Sequence, residues 1–274
     1  MPLFPIDYSD RKPIGRHGET VSAIGIGTWA IRDYSRAEEV LAEAVELGLD
    51  LIDTAEMYGW GRAEELVGRV VRRVGRDRVF ITTKLLPDHF TDRDEAVRAL
   101  RESLRRLGVS EVDLVLIHWP NRSISIADQI RVLEALADEG LARYIGVSNF
   151  NRDELEEAVY AVRRHEIVVD QVKYSVLDRW VEKSSLLGYA VENNILIQAY
   201  TPLEKGRVAG DPRLREIGGR YGKTAVQVAL NYLISRPRVV AIPKTENREH
   251  LYEIRGSLGW RLKPGDIEVI EGMI

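Results

Sequence analysis

Short apolar runs alternate along the chain with longer segments of helical periodicity. Eight runs are rich in Val, Ile and Leu: 23–29, 49–55, 79–84, 112–119, 144–150, 168–175, 195–200 and 239–244. Most of them lack the polar alternation of a half-exposed strand, which is typical of parallel strands that are buried on both faces. Eight such strands, with helices between them, predict an α/β fold of the closed (β/α)8 type, a TIM barrel.

The chain shows no internal boundary between domains. No linker rich in Pro, Gly or Ser and no shift in composition divides it, so we expect residues 1–274 to form a single domain. Residues 1–22 are rich in turn formers, and we expect them to form an N-terminal β-hairpin lid across the bottom of the barrel.

One glycine motif resembles the fingerprint of a different fold. Gly25, Gly27 and Ala30 match the pattern G-x-G-x-x-A of dinucleotide-binding Rossmann domains. In that fold the helix opens on the glycines, so that its N-terminus meets the pyrophosphate. Here Ser35 and Glu38 predict a capping box several residues later, which argues against the Rossmann interpretation.

The composition limits the classes of partner that the protein is expected to bind. The formal net charge is −4, without the basic excess that nucleic acids or anionic membranes attract. The N-terminus lacks the apolar core of a signal peptide, and no stretch approaches ~18 consecutive apolar residues. The absence of cysteine excludes disulfides, a thiolate nucleophile and a Cys-based metal site. We therefore expect a cytoplasmic protein with no metal and with no nucleic-acid or membrane partner.

Three polar residues stand at the ends of successive predicted strands: Asp53, Lys84 and His118. Tyr58 follows shortly after the first of them. A barrel enzyme carries its chemistry at the C-terminal ends of its strands, and neighbouring strands lie about 4.8 Å apart, so these side chains can converge. A lysine that ends an apolar strand needs a partner, because burying an unpaired ammonium costs heavily.

The motifs that carry these residues resemble those of the aldo-keto reductase superfamily, and the resemblance covers nearly the whole chain. The matching segments are 53–68, 81–85, 112–120, 145–150, 170–175, 199–203 and 241–245. The resemblance, to a short member similar to diketogluconate reductases, implies an NAD(P)H-dependent reduction of aldehydes or ketones. It also implies a catalytic tetrad made of Asp53, Tyr58, Lys84 and His118.

Elementary chemistry gives each tetrad residue a role. Hydride addition to a carbonyl creates an alkoxide, which needs a proton donor, and we expect Tyr58 to be that donor. A free phenol, with a pKa of about 10, is a poor acid, and an adjacent ammonium such as Lys84 is expected to lower that pKa. Asp53 keeps Lys84 charged and oriented. His118 orients the carbonyl oxygen and donates a hydrogen bond to it as charge develops.

The resemblance also implies a binding site for the cofactor. Its residues are Thr28, Trp29, Ser148, Asn149, Gln171, Tyr200, Thr201, Pro202, Leu203, Lys244, Thr245, His250 and Glu253. Ser148, Asn149 and Gln171 would hold the nicotinamide carboxamide, and Tyr200 would stack on the ring. Lys244 lies between the last strand and its helix, where barrels commonly bind phosphate.

Two departures from the family pattern concern the adenosine end. His250 stands where the family often has an arginine that contacts the 2′-phosphate, and Ile254 stands where it often has an asparagine that contacts adenine. We expect NADP(H) to be favoured and NAD(H) to be accepted as well.

The same resemblance implies a substrate pocket that is open to solvent. Four large side chains are expected to line the substrate pocket: Trp29, Met57, Trp60 and Trp119. We expect no long C-terminal loop of the kind that narrows specificity in many animal members. We expect a small carbonyl compound as substrate, and a monomer.

Two other functions compete with this one. The first is a regulatory or redox-sensing subunit that binds nucleotide with negligible turnover. The second is a Schiff-base aldolase that uses Lys84 as its nucleophile, which requires the neutral amine.

Overall fold

A parallel sheet of eight strands, closed into a barrel, forms the centre of the molecule. The computed structural model describes residues 1–16 and 18–273; His17 and Ile274, which the predicted domain includes, lie outside the described residues. The barrel strands are β3 (Ile26–Gly27), β4 (Leu51–Asp53), β5 (Phe80–Leu85), β6 (Val112–Ile117), β7 (Ala142–Ser148), β8 (Ile167–Lys173), β9 (Leu196–Tyr200) and β10 (Val239–Ala241). Each strand pairs with the next in the chain, in the order β3 to β10.

The first and last strands meet and close the barrel. The Gly25 amide donates to the Ala241 carbonyl at 2.9 Å, and the Gly27 amide donates to the Pro243 carbonyl at 3.0 Å. Gly27 has no side chain to hold these backbones apart: a Cβ added there would lie 3.2 Å from the Ile242 carbonyl oxygen. The predicted (β/α)8 barrel is therefore confirmed.

Helices surround the barrel. They are α1 (Tyr34–Glu46), α2 (Arg62–Val74), α3 (Arg93–Leu107), α4 (Ile126–Asp138), α5 (Arg152–Ala161), α6 (Trp180–Lys183), α7 (Leu186–Glu192), α8 (Pro212–Gly219), α9 (Ala225–Ile234), α10 (Arg248–Arg255) and α11 (Pro264–Glu271). The predicted cap of the first helix is wrong by two residues. Asp33 caps α1 by accepting from the Arg36 amide at 3.0 Å, which places Ser35 inside the first turn. No helix in the described ranges is long and apolar enough to cross a bilayer.

The bottom of the barrel is plugged by the predicted hairpin, formed by β1 (Arg11–Pro13) and β2 (Thr20–Ser22). Ile14 and Val21 are fully buried against a cluster that fills the barrel interior: Leu51, Phe80, Leu114, Leu116, Val168, Val169, Leu196, Val240 and Ile242. A second and larger apolar cluster joins the strands to the helices. With the bottom filled in this way, the polar side chains collect at the opposite end of the strands.

Candidate active site

A buried ion pair lies at the C-terminal ends of β4 and β5. The Lys84 ammonium donates to the two Asp53 carboxylate oxygens at 2.7 and 2.9 Å and to the Thr54 carbonyl at 2.8 Å. Lys84 is 0% and Asp53 3% exposed. Burial lowers the pKa of Lys84, but Asp53 and Tyr58 outweigh this and leave it raised, so Lys84 is an ammonium. Burial also raises the pKa of Asp53, and the hydrogen bonds from Lys84 and Gln171 oppose that rise.

Tyr58 extends this pair toward the mouth of the barrel. Its hydroxyl oxygen accepts a hydrogen bond from the Lys84 ammonium at 3.1 Å, so its own proton is free for another acceptor. The expectation that the ammonium lowers the pKa of Tyr58 holds for the contribution of Lys84 but not for the net shift. Burial raises this pKa, and Lys84 opposes the rise without cancelling it. Tyr58 is therefore a protonated phenol at neutral pH, the form that can act as an acid.

His118, at the end of β6, stands beside Tyr58. The two rings meet edge to face, with centroids 5.6 Å apart and planes at 74°. Burial, and secondarily the charge of Lys84, lowers the pKa of His118 to about 3, so the imidazole is neutral. Its Nδ1 atom is buried and has no hydrogen-bond partner in the described parts of the chain. The structure thus brings the four predicted catalytic residues together.

A group of amide and hydroxyl side chains lies beside the tetrad, at the ends of β7, β8 and β9. The Asn149 amide nitrogen donates to the His118 carbonyl at 2.9 Å and to the Ser148 hydroxyl at 3.1 Å. Its amide oxygen accepts from the Tyr200 hydroxyl at 2.9 Å. Gln171 donates to Asp53 at 2.7 Å and so joins this group to the ion pair. Polar donors and acceptors beside an aromatic ring fit a nicotinamide with its carboxamide.

Sequence reasoning missed one member of this network. Gln198, on β9, is fully buried and accepts from Gln171 at 2.9 Å. The sequence carried a signal for this residue, because a glutamine interrupts the apolar run 195–200. A polar side chain in a strand buried on both faces needs an interior partner.

The four side chains expected to line the substrate pocket differ in exposure. Trp29, Met57, Trp60 and Trp119 are 54, 41, 97 and 38% exposed, respectively. Trp119 packs against His118, with ring centroids 4.8 Å apart. Trp60, whose φ is 59°, projects almost wholly into solvent. Trp29 follows Thr28, which anchors its loop by donating to the Asp53 carbonyl at 2.9 Å.

The loop after β9 bends through left-handed backbone conformations. It contains three expected cofactor residues: Thr201, Pro202 and Leu203. Thr201 and Lys205 have φ values of 53° and 55°. The Lys205 ammonium lies 5.8 Å from the centre of the Trp29 ring, so the loop reaches past β10 to the loop that follows β3. Lys205 was not predicted, since only the fold brings it to Trp29.

The expected adenosine end lies between β10 and α10. Thr245 is buried, and its hydroxyl donates to the Asn247 carbonyl at 3.1 Å. Lys244 pairs with Glu246 at 2.5 Å. His250 is exposed on the first turn of α10.

The two other positions singled out at this end lie further along α10. Ile254 is 2% exposed and belongs to the apolar core. Glu253 lines a surface cavity with Arg215 and Lys223.

Comparison with known proteins identifies the family. A model of the aldo/keto reductase family matches residues 23–274. The chain belongs to this family. As an aldo/keto reductase, it places Asp53, Lys84 and His118 at three adjacent strand ends, as its motifs predicted.

Solved structures of other family members superpose closely on this aldo/keto reductase. A thermostable aldo-keto reductase, crystallised with the inhibitor epalrestat, is 39% identical to this chain, with a TM-score of 0.89. The match covers 95% of this chain and 98% of the other. An aldo/keto reductase of Klebsiella pneumoniae, in complex with NADP and acetate, is 29% identical over 96% of this chain and 94% of its own, with a TM-score of 0.87. In the comparison of sequences alone, the methylglyoxal reductase DkgB of Yersinia pestis is 33% identical over 217 residues, which is 78% of each chain.

Proposed function

We propose that this chain reduces the carbonyl group of small aldehydes or ketones with hydride from NAD(P)H, and that Tyr58 donates the proton. One observation carries the proposal. The Tyr58 hydroxyl accepts a hydrogen bond from Lys84, and Lys84 is in turn held by Asp53. This order of contacts leaves the phenolic proton free at the barrel mouth and places a positive charge behind the oxygen that loses it.

Tyr58 and His118 then act on a carbonyl oxygen that lies between them, and Lys84 and Asp53 act through Tyr58. When bound, the reduced nicotinamide supplies hydride to the carbonyl carbon. Tyr58 gives its proton to the oxygen as negative charge develops there. The Lys84 ammonium stabilises the phenolate that remains, which offsets part of the effect of burial on the pKa of Tyr58. His118, neutral at the working pH, donates a hydrogen bond to the same oxygen.

The same proposal assigns the cofactor. Ser148, Asn149 and Gln171 would hold the carboxamide, and Tyr200 would stack on the ring. Lys244 would face the 2′-phosphate, which supports a moderate preference for NADPH with measurable use of NADH. The Klebsiella pneumoniae relative, crystallised with NADP, supports a nicotinamide cofactor of this type.

For the substrate, we propose small aldehydes of the methylglyoxal type, without strong selectivity. The Yersinia pestis relative, named a methylglyoxal reductase, supports this class. An apolar rim that includes Trp29 and Trp119 discriminates weakly, by about 1–3 kcal/mol per methylene group. All four tetrad residues come from one chain, which supports a monomer as the active unit.

The competing functions fit the site less well. A regulatory subunit with negligible turnover does not require the complete tetrad. A Schiff-base aldolase needs Lys84 as a free amine, but Asp53 and Tyr58 raise the pKa of Lys84 and favour the ammonium.

The test is a panel of chemically distinct carbonyl compounds, assayed with NADPH and with NADH. We expect turnover of several unrelated aldehydes, with efficiencies higher for NADPH. No turnover of any compound, together with normal cofactor binding, would favour the regulatory function. Trapping of a carbonyl ligand on Lys84 by borohydride would favour the aldolase.

A further inference from the structure

The Lys244 ammonium already forms an ion pair with a carboxylate of the same chain. Glu246, two residues along, accepts a hydrogen bond from it through Oε1 at 2.5 Å. The second carboxylate oxygen of Glu246 accepts from the backbone amides of Arg32 and Asp33 at 3.1 and 2.8 Å. These amides belong to the loop between β3 and α1, across the closing seam of the barrel.

This arrangement holds Glu246 in place. Both of its oxygens have partners, and its side chain is only 19% exposed. Burial raises the pKa of Glu246, but Lys244 and the two amides outweigh it, so this pKa is lowered and the group is an anion at neutral pH. When a ligand approaches Lys244, the carboxylate can turn away only by giving up two backbone hydrogen bonds.

We propose that Glu246 is a specificity-determining residue that limits the preference of this enzyme for NADPH over NADH. The inference rests on the proposed function, in which Lys244 faces the 2′-position of the adenosine ribose. A 2′-phosphate would meet an ion pair of zero net charge instead of a free ammonium, and the carboxylate repels it. The 2′-hydroxyl of NADH carries no charge and can donate to a carboxylate, as it does in Rossmann domains that bind NAD.

The experiment measures cofactor binding alone. NADPH and NADH are titrated into the purified full-length protein, with quenching of tryptophan fluorescence as the readout. The key variant is Glu246→Gln, which removes the charge but keeps an oxygen that can accept from the amides of Arg32 and Asp33. The matched control is Glu249→Gln, which removes the same charge from an exposed position on the first turn of α10.

We expect Glu246→Gln to lower the Kd for NADPH by about 5-fold, the upper end of the range for a charge interaction near the surface, and to change the Kd for NADH by less than about 2-fold. The control should change neither Kd by more than about 2-fold. In a double-mutant cycle, Lys244→Met should weaken NADPH binding more in the Glu246→Gln background than in the wild type.

Three results would contradict the role of Glu246 or the proposed function, and they can be told apart. An unchanged ratio of the two Kd values in Glu246→Gln would overturn the role of Glu246 and leave the proposed function standing. An equal change in Glu249→Gln would show a general effect of surface charge, and would also overturn it. A wild-type protein that binds neither nucleotide would overturn the proposed function itself.

Discussion

Lys84 and Asp53 form a buried pair in which one ammonium contacts both oxygens of one carboxylate, at 2.7 and 2.9 Å. The two residues lie 31 positions apart in the sequence, at the ends of the adjacent strands β5 and β4. Neither charge has access to bulk water, so each depends on the other for its solvation. The pair therefore affects both the stability of the barrel and the acidity of Tyr58.

The first prediction separates these two effects. Lys84→Met leaves the Asp53 carboxylate buried without its cation, which should lower the free energy of unfolding by about 3–5 kcal/mol and abolish carbonyl reduction. Adding Asp53→Asn removes the unpaired charge, and the double variant should recover most of the stability but none of the activity. Urea unfolding and steady-state assays measure the two properties. A single variant as stable as the wild type would contradict a charged pair.

Much of this site could be predicted from the sequence, because the fold itself brings the residues together. Strands buried on both faces are evident as apolar runs, and the ends of adjacent parallel strands must lie close in space. Asp53, Lys84 and His118 follow from this rule alone. The hairpin over the barrel bottom was predicted from turn-forming residues, and β1 and β2 confirm it.

Other features depend on distances that no local pattern encodes. The contact of Glu246 with the Asp33 amide spans 213 positions, and it arises only because the first and last strands meet. The net pKa shift of Tyr58 depends on the depth of burial, which competes with the charge of Lys84. The helix cap at Asp33 was missed because Ser35 and Glu38 offer an equally good capping pattern two residues later.

The second prediction concerns the charge of His118. Because burial and the charge of Lys84 lower its pKa to about 3, His118 should stay neutral from pH 5 to 8, and this range should show no bend in kcat/KM that belongs to it. His118→Gln should lower kcat/KM by about 100-fold, as expected for loss of one donor to the developing oxyanion. The shape of the pH profile should not change. An acidic limb near pH 6 that disappears in the variant would contradict a neutral imidazole.

The third prediction concerns Asp170, on β8 beside Gln171. Its carboxyl group is fully buried, and neither oxygen makes a hydrogen bond of ordinary geometry within the described residues, although the Phe150 amide lies close to it. Burial raises its pKa well above the ordinary value, with Glu154 acting in the same direction and the Phe150 amide opposing only in part. Burial at this position therefore favours the neutral acid over the carboxylate.

A raised pKa in the folded state sets the sign of the pH dependence. The stabilising effect of the neutral acid is complete below the unfolded pKa of about 3.9 and is lost as pH rises through the folded pKa. Each pH unit in this window is worth about 1.4 kcal/mol. Asp170→Asn keeps the shape without the charge, so its midpoint of thermal unfolding should exceed that of the wild type more at pH 8 than at pH 5. An equal difference at both pH values would refute this assignment.

The fourth prediction concerns the adenosine end. An arginine carries a permanent charge and can form two hydrogen bonds to a phosphate, which an imidazole cannot do. His250→Arg should therefore tighten NADPH binding at pH 8 and leave NADH binding nearly unchanged. Titration of both cofactors measures this effect. An unchanged affinity for NADPH would mean that residue 250 does not reach the phosphate.

The role of Tyr58 as proton donor is tested most directly by the rate of carbonyl reduction in Tyr58→Phe. The rate is measured with saturating NADPH, under conditions where a deuterium isotope effect shows hydride transfer to be rate-limiting. Loss of the proton donor should lower the rate by about 10²- to 10⁴-fold while the Kd for NADPH stays nearly constant. Tyr160→Phe, at a tyrosine that is 92% exposed, is the matched control and should keep full activity. A Tyr58→Phe enzyme that keeps a tenth or more of the wild-type rate would contradict the assignment of Tyr58 as the acid.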